Sequence, residues 1–199
     1  MDKALREQLQ LKAEQAFRDS IAVKEALCQM GFGLILDMAE VLSAAFRGGH
    51  RLFLFGNGGS AADAQHLAAE FVNRFQLERR PLPALALTVD TSILTSISND
   101  YRFEDIFIKQ LQALGQSGDV ALGISTSGHS PNVLKALKWA RENGIHTLGW
   151  AGAEKTEMDV YCDLVLHIPS RVTARVQEGH ITCGHVLCLL VEDILFAAK

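Results

Sequence analysis

The stretch "RLFLFGNGGSAADAQHLAAEF" (residues 51–71) decides the fold, because an apolar run meets a glycine-rich loop and then an amphipathic segment. The run has no polar alternation, which is typical of a strand that is buried on both faces of a parallel sheet. Residues 56–60 end the strand. We expect Ser60 to cap a helix over 60–75, with Asp63 as a capping-box variant. The stretch therefore predicts a strand, a turn and a helix.

The same alternation of apolar strands and helical segments continues to the end of the chain. We place further strands at 82–87, 119–125, 145–150 and 164–168, and helices at 91–98, 103–114, 130–143 and 172–197. Apolar strands separated by helices indicate an α/β fold with a parallel sheet covered on both faces. Pro81 and Pro83 mark a loop and not a domain linker, so one domain is expected.

Two helices precede the first strand. The segments 3–28 and 34–47 have helical apolar spacing, and the second is closed by Gly48 and Gly49. An exposed apolar stripe on the first helix would be covered by the domain or by another subunit. That stripe consists of Leu5, Leu9, Phe17 and Ile21.

Composition excludes several classes of protein. Of 199 residues, 48% are hydrophobic and 21% are charged, which predicts a packed core. The net charge is −4, so the basic footprint of a nucleic-acid-binding protein is absent. No apolar run approaches the roughly 20 residues of a membrane span, and the charged N-terminus is not a signal peptide. Four cysteines without CxxC spacing suggest reduced thiols. We expect a cytoplasmic protein.

A hydroxyl-rich loop, "STSGHSPN" (residues 125–132), follows one of the predicted strands. In open parallel sheets, ligands bind beyond the carboxyl ends of the strands. Ser130 suits a helix N-cap, with Pro131 at the first helical position. Backbone amides, the helix dipole and clustered hydroxyls together favour an anion, most naturally a phosphate. The hydroxyls belong to Ser125, Thr126, Ser127 and Ser130. The alternative is an ordinary capped loop.

The glycine-rich loop also satisfies the GxGxx[G/A] pattern of dinucleotide-binding folds. Those folds place an acidic residue about 20 positions further on. Here Asp90 follows Gly56 by 34 positions, so this reading is disfavoured. The GK[ST] sequence of nucleotide-triphosphate loops is absent from the sequence.

His66 and Glu70 are four residues apart, so they lie on one face of the predicted helix. They can share a proton, a metal ion or a substrate. The alternative is an exposed pair that contributes only a few tenths of a kcal/mol. Small and apolar neighbours make a fully solvated face less natural.

The last helix offers a second set of polar side chains in "RVQEGHITCGHVL". Gln177 and His185 are eight residues apart and can face one cleft. Glu178 and His180 are alternatives, although His180 is more typical of a packed histidine. Two imidazoles, a carboxylate and a carboxamide could together hold zinc. An amide oxygen is a poor zinc ligand, so the site would be loose, which fits catalysis better than a structural role.

Four blocks resemble the phosphoheptose isomerases of the sugar isomerase (SIS) domain family. They are "FGNGGSAADAQHLAAEFVNRF", "SISNDYRFEDIF", "GDVALGISTSGHSPNVLKAL" and "ARVQEGHITCGHVLCLLVE". The resemblance runs from about residue 5 to residue 196. It implies a three-layer α/β/α sandwich with a five-stranded parallel, flavodoxin-like sheet. It also implies a single SIS domain over 1–199, whose helical extension 1–48 packs on the domain and on other subunits of a homotetramer.

The resemblance further implies an activity: conversion of sedoheptulose 7-phosphate to D-glycero-D-manno-heptose 7-phosphate, an early step towards lipopolysaccharide heptose. By motif, one zinc ion per subunit is bound by His66, Glu70, Gln177 and His185. For this reaction we expect Glu70 to act as the base and His185 as the second acid/base. Substrate contacts are implied for Asn57, Gly58, Gly59, Ser60, Glu70, Asn99, Asp100, Ser125, Thr126, Ser127, Ser130 and Gln177.

Two loops depart from the family pattern, "GWAGAEKTEMD" (149–159) and "SGHS" (127–130), and they bear on sugar specificity. One alternative is a non-catalytic SIS protein of the replication-initiator-associating type. Such a protein could dispense with Glu70 or His185, and the presence of both favours an enzyme. Another alternative is a phosphosugar-sensing regulator, but residues 1–50 contain no basic recognition helix.

Overall fold

The computed structural model describes residues 1–197. Its helices are α1 (Lys3–Met30), α2 (Gly33–Arg47), α3 (Gly59–Val72), α4 (Thr91–Asp100), α5 (Ile108–Leu114), α6 (Pro131–Glu142), α7 (Met158–Tyr161) and α8 (Thr173–Phe196). Its strands are β1 (Leu52–Gly56), β2 (Ala84–Ala86), β3 (Val120–Ile124), β4 (His146–Ala151) and β5 (Leu164–His167).

The five strands form one parallel sheet in the order β2-β1-β3-β4-β5. Side chains of β1 alternate between the two faces of this sheet. Leu52 and Leu54 pack in a core with α2, α3 and α8, whereas Phe53 and Phe55 pack in a second core with α5 and α6. Both faces are therefore covered by helices, which confirms the predicted three-layer α/β/α sandwich with flavodoxin-like strand order.

The strand order places a crevice between β1 and β3. The chain leaves β1 towards β2 on one side and leaves β3 towards β4 on the other, which makes this pair the switch point of the sheet. The glycine-rich loop follows β1 and the hydroxyl-rich loop follows β3. The two loops singled out in the sequence are therefore neighbours.

The two N-terminal helices differ in burial. In α2, Met38, Ala39 and Leu42 are fully buried in the same core as Leu52 and Leu54 of β1, so this helix is part of the domain core. Of the described residues of α1, Leu27 alone is buried. The predicted stripe lies exposed on α1, with Phe17 at 75% exposure.

Several predicted boundaries were wrong. Helix α3 begins at Gly59, because Gly58 adopts a positive φ of 55° and turns the chain into the helix one residue early. Ser60 is consequently buried in the first turn and is not the cap. Helix α3 also ends at Val72 and not at residue 75, since residues 75–77 donate their amides to a carboxylate on α8.

Other differences concern the connections on the second face of the sheet. The predicted helix 103–114 is divided into a 3-10 turn, Phe103–Asp105, and α5. The predicted strand 82–87 is shortened to Ala84–Ala86. The short helix α7 was missed because four residues show no periodicity.

By length and hydropathy, α8 could cross a membrane, and α1 with α2 could do so only as one span, although they are bent by 77°. Helix α8 instead packs Val176, Leu187 and Val191 into the core of the domain. A core helix passes the same test, so this is weak evidence for a span.

Candidate active site

Helices α3 and α8 bring His66, Glu70 and His185 together. Nε2 of His66 lies 2.8 Å from Nε2 of His185 and 3.3 Å from Oε1 of Glu70. One candidate ligand atom from each side chain lies within 4.8 Å of the others. The side chains remain accessible, with His66 48% and Glu70 23% exposed. The structure confirms that the two remote helices meet, and it brings together three of the four expected side chains, His66, Glu70 and His185.

A glycine allows this close approach of the helices. A Cβ on Gly184 would lie 2.7 Å from a methyl carbon of Leu67 on α3, so a larger residue would displace that side chain. His185 is the next residue on α8, and His66 precedes Leu67 on α3. The packing of Leu67 on Gly184 is therefore adjacent in the chain to both histidines, whose imidazoles meet at the same helix contact.

The ring of His185 is held from a second side by Phe75. The two rings are nearly parallel, at 21°, with their centroids 5.6 Å apart. Phe75 belongs to the loop after α3, and sequence reasoning did not single it out. Its place directly after the predicted helix gives no signal of contact with a residue more than 100 positions later.

The carboxamide of Gln177 lies against Gly59 at the start of α3. Within residues 1–197, no hydrogen bond joins Gln177 to His66, Glu70 or His185. The structure thus places the carboxamide of this fourth expected ligand beside the glycine-rich loop.

The hydroxyl-rich loop is internally bonded. Oγ of Ser125 lies 2.9 Å from Oγ of Ser130 and 3.4 Å from Oγ of Ser127, and Ser127 Oγ accepts a bond from the amide of His129. Ser130 occupies the N-cap position with Pro131 first in α6, as predicted, but its hydroxyl points to Ser125 instead of capping the helix. Three hydroxyls therefore form one cluster at the start of α6.

Asn57 joins the two loops. Its Nδ2 donates to Oδ1 of Asn132 at 2.9 Å, and its Oδ1 accepts from Nδ2 of Asn132 at 2.8 Å. Asn132 is 1% exposed, at the second position of α6. Sequence reasoning assigned Asn57 to substrate and missed Asn132, because a pairing between two loops leaves no local pattern. Gly58 and Asn57 also line a cavity of about 160 Å³ beside the crevice.

Asn99 and Asp100 lie at the exposed end of α4. Nδ2 of Asn99 donates to Oδ1 of Asp100 at 2.8 Å. Phe103, three residues further on, lines the cavity beside the glycine-rich loop. The described chain shows no hydrogen bond from either residue to the histidine–glutamate group.

Burial shifts the pKa of two groups near the site. Burial raises the pKa of Asp63 to about 6, opposed by the nearby His66. Burial lowers the pKa of His180 to about 4, opposed by its hydrogen bond to the carbonyl oxygen of Ala151. His180 is fully buried, which fits the packed role expected for it. Glu178 pairs with Arg175.

Comparison with known proteins shows what this chain is similar to. The SIS domain family model matches residues 17–152. A phosphoheptose isomerase of Nitratidesulfovibrio vulgaris is 55% identical over 174 residues, covering 87% of this chain and 84% of the relative. The structure of a phosphoheptose isomerase from Neisseria gonorrhoeae superposes with a TM-score of 0.88 at 39% identity, covering 93% of this chain and 99% of that chain.

A second solved structure agrees. The phosphoheptose isomerase from Francisella tularensis superposes with a TM-score of 0.88 at 33% identity, covering 92% of this chain and 97% of that chain. The family model spans more than half of the chain, and the similarity to named isomerases extends over nearly all of it. The chain belongs to the SIS domain family and, within it, to the phosphoheptose isomerases.

Proposed function

We propose that this protein converts sedoheptulose 7-phosphate to D-glycero-D-manno-heptose 7-phosphate, which supplies heptose for lipopolysaccharide precursors. The observation that carries the proposal is the group formed by His66, Glu70 and His185, which lies on the two helices that flank the glycine-rich loop. Relatives that are about half identical and carry the name phosphoheptose isomerase support the same activity.

Ketose-to-aldose conversion moves one proton between adjacent carbons. A base removes a proton from C1 of the ketose, which gives an enediol, and returns it to C2, while a second group moves a proton between the two oxygens. Glu70 is the proposed base, and its carboxylate is accessible to a ligand. His185, stacked on Phe75, is the proposed second acid/base.

We also propose that one zinc ion binds to each subunit at this group. Two imidazole nitrogens and a carboxylate oxygen converge within 4.8 Å of one another, and this donor set suits zinc. Gln177 is the proposed fourth ligand. Bound zinc would polarise substrate oxygens or fix their geometry. A carboxylate held tightly by a metal ion is a weaker base, so a loosely bound amide ligand helps Glu70 to act.

The substrate phosphate is assigned to the hydroxyl-rich loop. The cluster of Ser125, Ser127 and Ser130 lies at the N-terminus of α6, where backbone amides and the helix dipole favour an anion. Thr126 lies in the same loop and lines a cavity of about 320 Å³ with Ser127 and Gly152.

The proposed assembly is a cytoplasmic homotetramer with active sites at subunit interfaces. The apolar side chains exposed along α1, among them Leu5, Leu9 and Phe17, support a contact with other subunits. An isolated subunit would otherwise leave this helix almost without a packing partner.

The decisive experiment follows aldose formation from sedoheptulose 7-phosphate, with zinc added and after treatment with a chelator. We expect turnover that the chelator removes and zinc restores. The variant His66→Ala should lose this response, whereas His146→Ala, at the exposed start of β4, should keep it. A folded wild-type protein without turnover would contradict the proposal and favour the non-catalytic binding protein.

A further inference from the structure

A buried ion pair lies behind the candidate active site. Nε of Arg79, in the loop after α3, donates to Oε1 of Glu192 on α8 at 2.9 Å, and each side chain is 1% exposed. Glu192 also accepts bonds from three successive backbone amides at 2.8 to 2.9 Å. Those amides belong to Phe75, Gln76 and Leu77. Burial raises the pKa of Glu192, but these bonds outweigh it and lower the pKa overall, which keeps the carboxylate ionised.

The guanidinium of Arg79 reaches the turn of α3 that carries the proposed base. Nη2 donates to the carbonyl oxygen of Glu70 at 2.9 Å, and Nη1 donates to that of Phe71 at 2.8 Å. The last carbonyls of a helix have no partner within the helix, so an outside donor fixes them. Arg79 therefore holds the backbone of Glu70 in place.

Glu192 reaches the other half of the site. It lies two turns beyond His185 on α8, and the amide of Phe75 donates to its Oε1. The ring of Phe75 in turn stacks on His185. One buried pair thus touches the segment that carries Glu70 and the residue that packs on His185.

We propose that Arg79 and Glu192 are positioning residues, which hold Glu70 and His185 at the separation that catalysis and metal binding require. The inference rests on the proposed function for the roles of Glu70 and His185. Stability alone does not account for the pair, because buried ion pairs are often no more stabilising than apolar side chains of similar volume. The bonds that Arg79 donates to the carbonyls of Glu70 and Phe71, and those that Glu192 accepts from residues 75–77, instead end on the segments that carry the site.

The test compares Glu192→Gln with a matched control, Asp119→Asn. Asp119 is also a buried carboxylate that accepts backbone amides, but its donors are Arg51 and Gln116, which precede β1 and β3 and carry no residue of the candidate site. Both substitutions remove one buried charge and should lower stability. Folded protein is titrated with cobalt(II), whose absorption reports the ligands directly, and kcat and KM are measured separately.

We expect Glu192→Gln to weaken cobalt(II) binding and to lower kcat by about 10-fold or more each, the range seen when groups that orient metal ligands are removed. KM should change far less, because the hydroxyl-rich loop is untouched. Asp119→Asn should leave cobalt(II) affinity and kcat unchanged. Wild-type cobalt(II) affinity and kcat in folded Glu192→Gln would overturn the proposal.

Arg79→Lys provides a second variant if Glu192→Gln does not fold. It keeps the positive charge but loses the planar fork that reaches Glu192 and the carbonyl of Glu70 together. The same losses are expected, and their absence would likewise overturn the proposal. Cobalt(II) affinity can be measured without turnover. A wild-type protein that binds cobalt(II) but lacks isomerase activity would refute the proposed function. The cobalt(II) affinities of the variants would still decide the positioning role.

Discussion

The carboxamide of Gln177 on α8 lies directly against the backbone of Gly59 at the start of α3. A Cβ on Gly59 would come within 2.3 Å of Nε2 of Gln177, a separation that atoms do not adopt. The missing side chain of Gly59 thus leaves room for the carboxamide of Gln177, whereas the positive φ of Gly58 favours glycine for its backbone conformation. Two adjacent glycines serve two different physical needs.

Gly59→Ala should displace the side chain of Gln177 with little effect on stability, because the obstructing atoms are the end of a flexible side chain. If Gln177 is a ligand and a substrate contact, the variant should lose about 10-fold in zinc affinity, as measured by competition with a chelating dye. Gly33→Ala is the matched control, since a Cβ at Gly33 meets nothing within 4 Å. Equal zinc affinity in both variants would remove Gln177 from the ligand set.

Glu70→Gln should abolish turnover while substrate still binds. The amide cannot accept the C1 proton, and loss of a positioned base typically costs about 10²- to 10⁴-fold in rate. Binding of sedoheptulose 7-phosphate is measured by calorimetry and turnover by aldose formation. Glu142→Gln, an exposed carboxylate at the end of α6, should behave like wild type. Full activity in Glu70→Gln would exclude Glu70 as the base.

Replacing Ser125 and Thr126 together by alanine should chiefly raise KM. Ser125 is 3% exposed and its hydroxyl bonds to Ser130, so the double variant opens the hydroxyl cluster. Each lost hydrogen bond to a charged phosphate contributes about 1.5 to 3 kcal/mol, so a rise of at least 10-fold is expected. Ser117→Ala is the control, because Ser117 precedes β3 and the hydroxyl-rich loop follows it. An unchanged KM would mean that the phosphate binds elsewhere.

The main architecture could be predicted because it depends on local patterns. Apolar runs such as residues 52–56 and 120–124 are buried on both faces, which indicates a parallel sheet with helices on both sides. The spacing of His66 and Glu70 places them on one helical face without further information. The meeting of α3 and α8 was an expectation that the structure confirmed for His66, Glu70 and His185.

What could not be predicted depends on contacts between distant segments. The pairing of Asn57 with Asn132 and that of Arg79 with Glu192 join residues 75 and 113 positions apart. Ser60 illustrates the same limit in a single turn. Its residue type is typical of a cap, but the positive φ of Gly58 starts the helix one residue earlier. That φ is a property of the folded backbone and has no signal in the local sequence.

The neutral, buried His180 predicts an acid-sensitive fold. Its pKa is about 4 in the folded chain, against about 6.5 when unfolded, so the unfolded chain binds more protons below pH 6.5. The contribution of neutral His180 to the stability of the fold is fully present above pH 6.5 and is lost as the pH drops towards 4. At pH 5, the loss attributable to His180 is about 2 kcal/mol.

His180→Gln should lack this component, whatever its own stability at pH 7.5. Denaturant unfolding of both proteins at pH 7.5 and pH 5, at one fixed protein concentration, measures the difference in pH dependence, since all other titrating groups are shared. Parallel losses of stability in the two proteins would show that His180 is not the group whose protonation opposes folding.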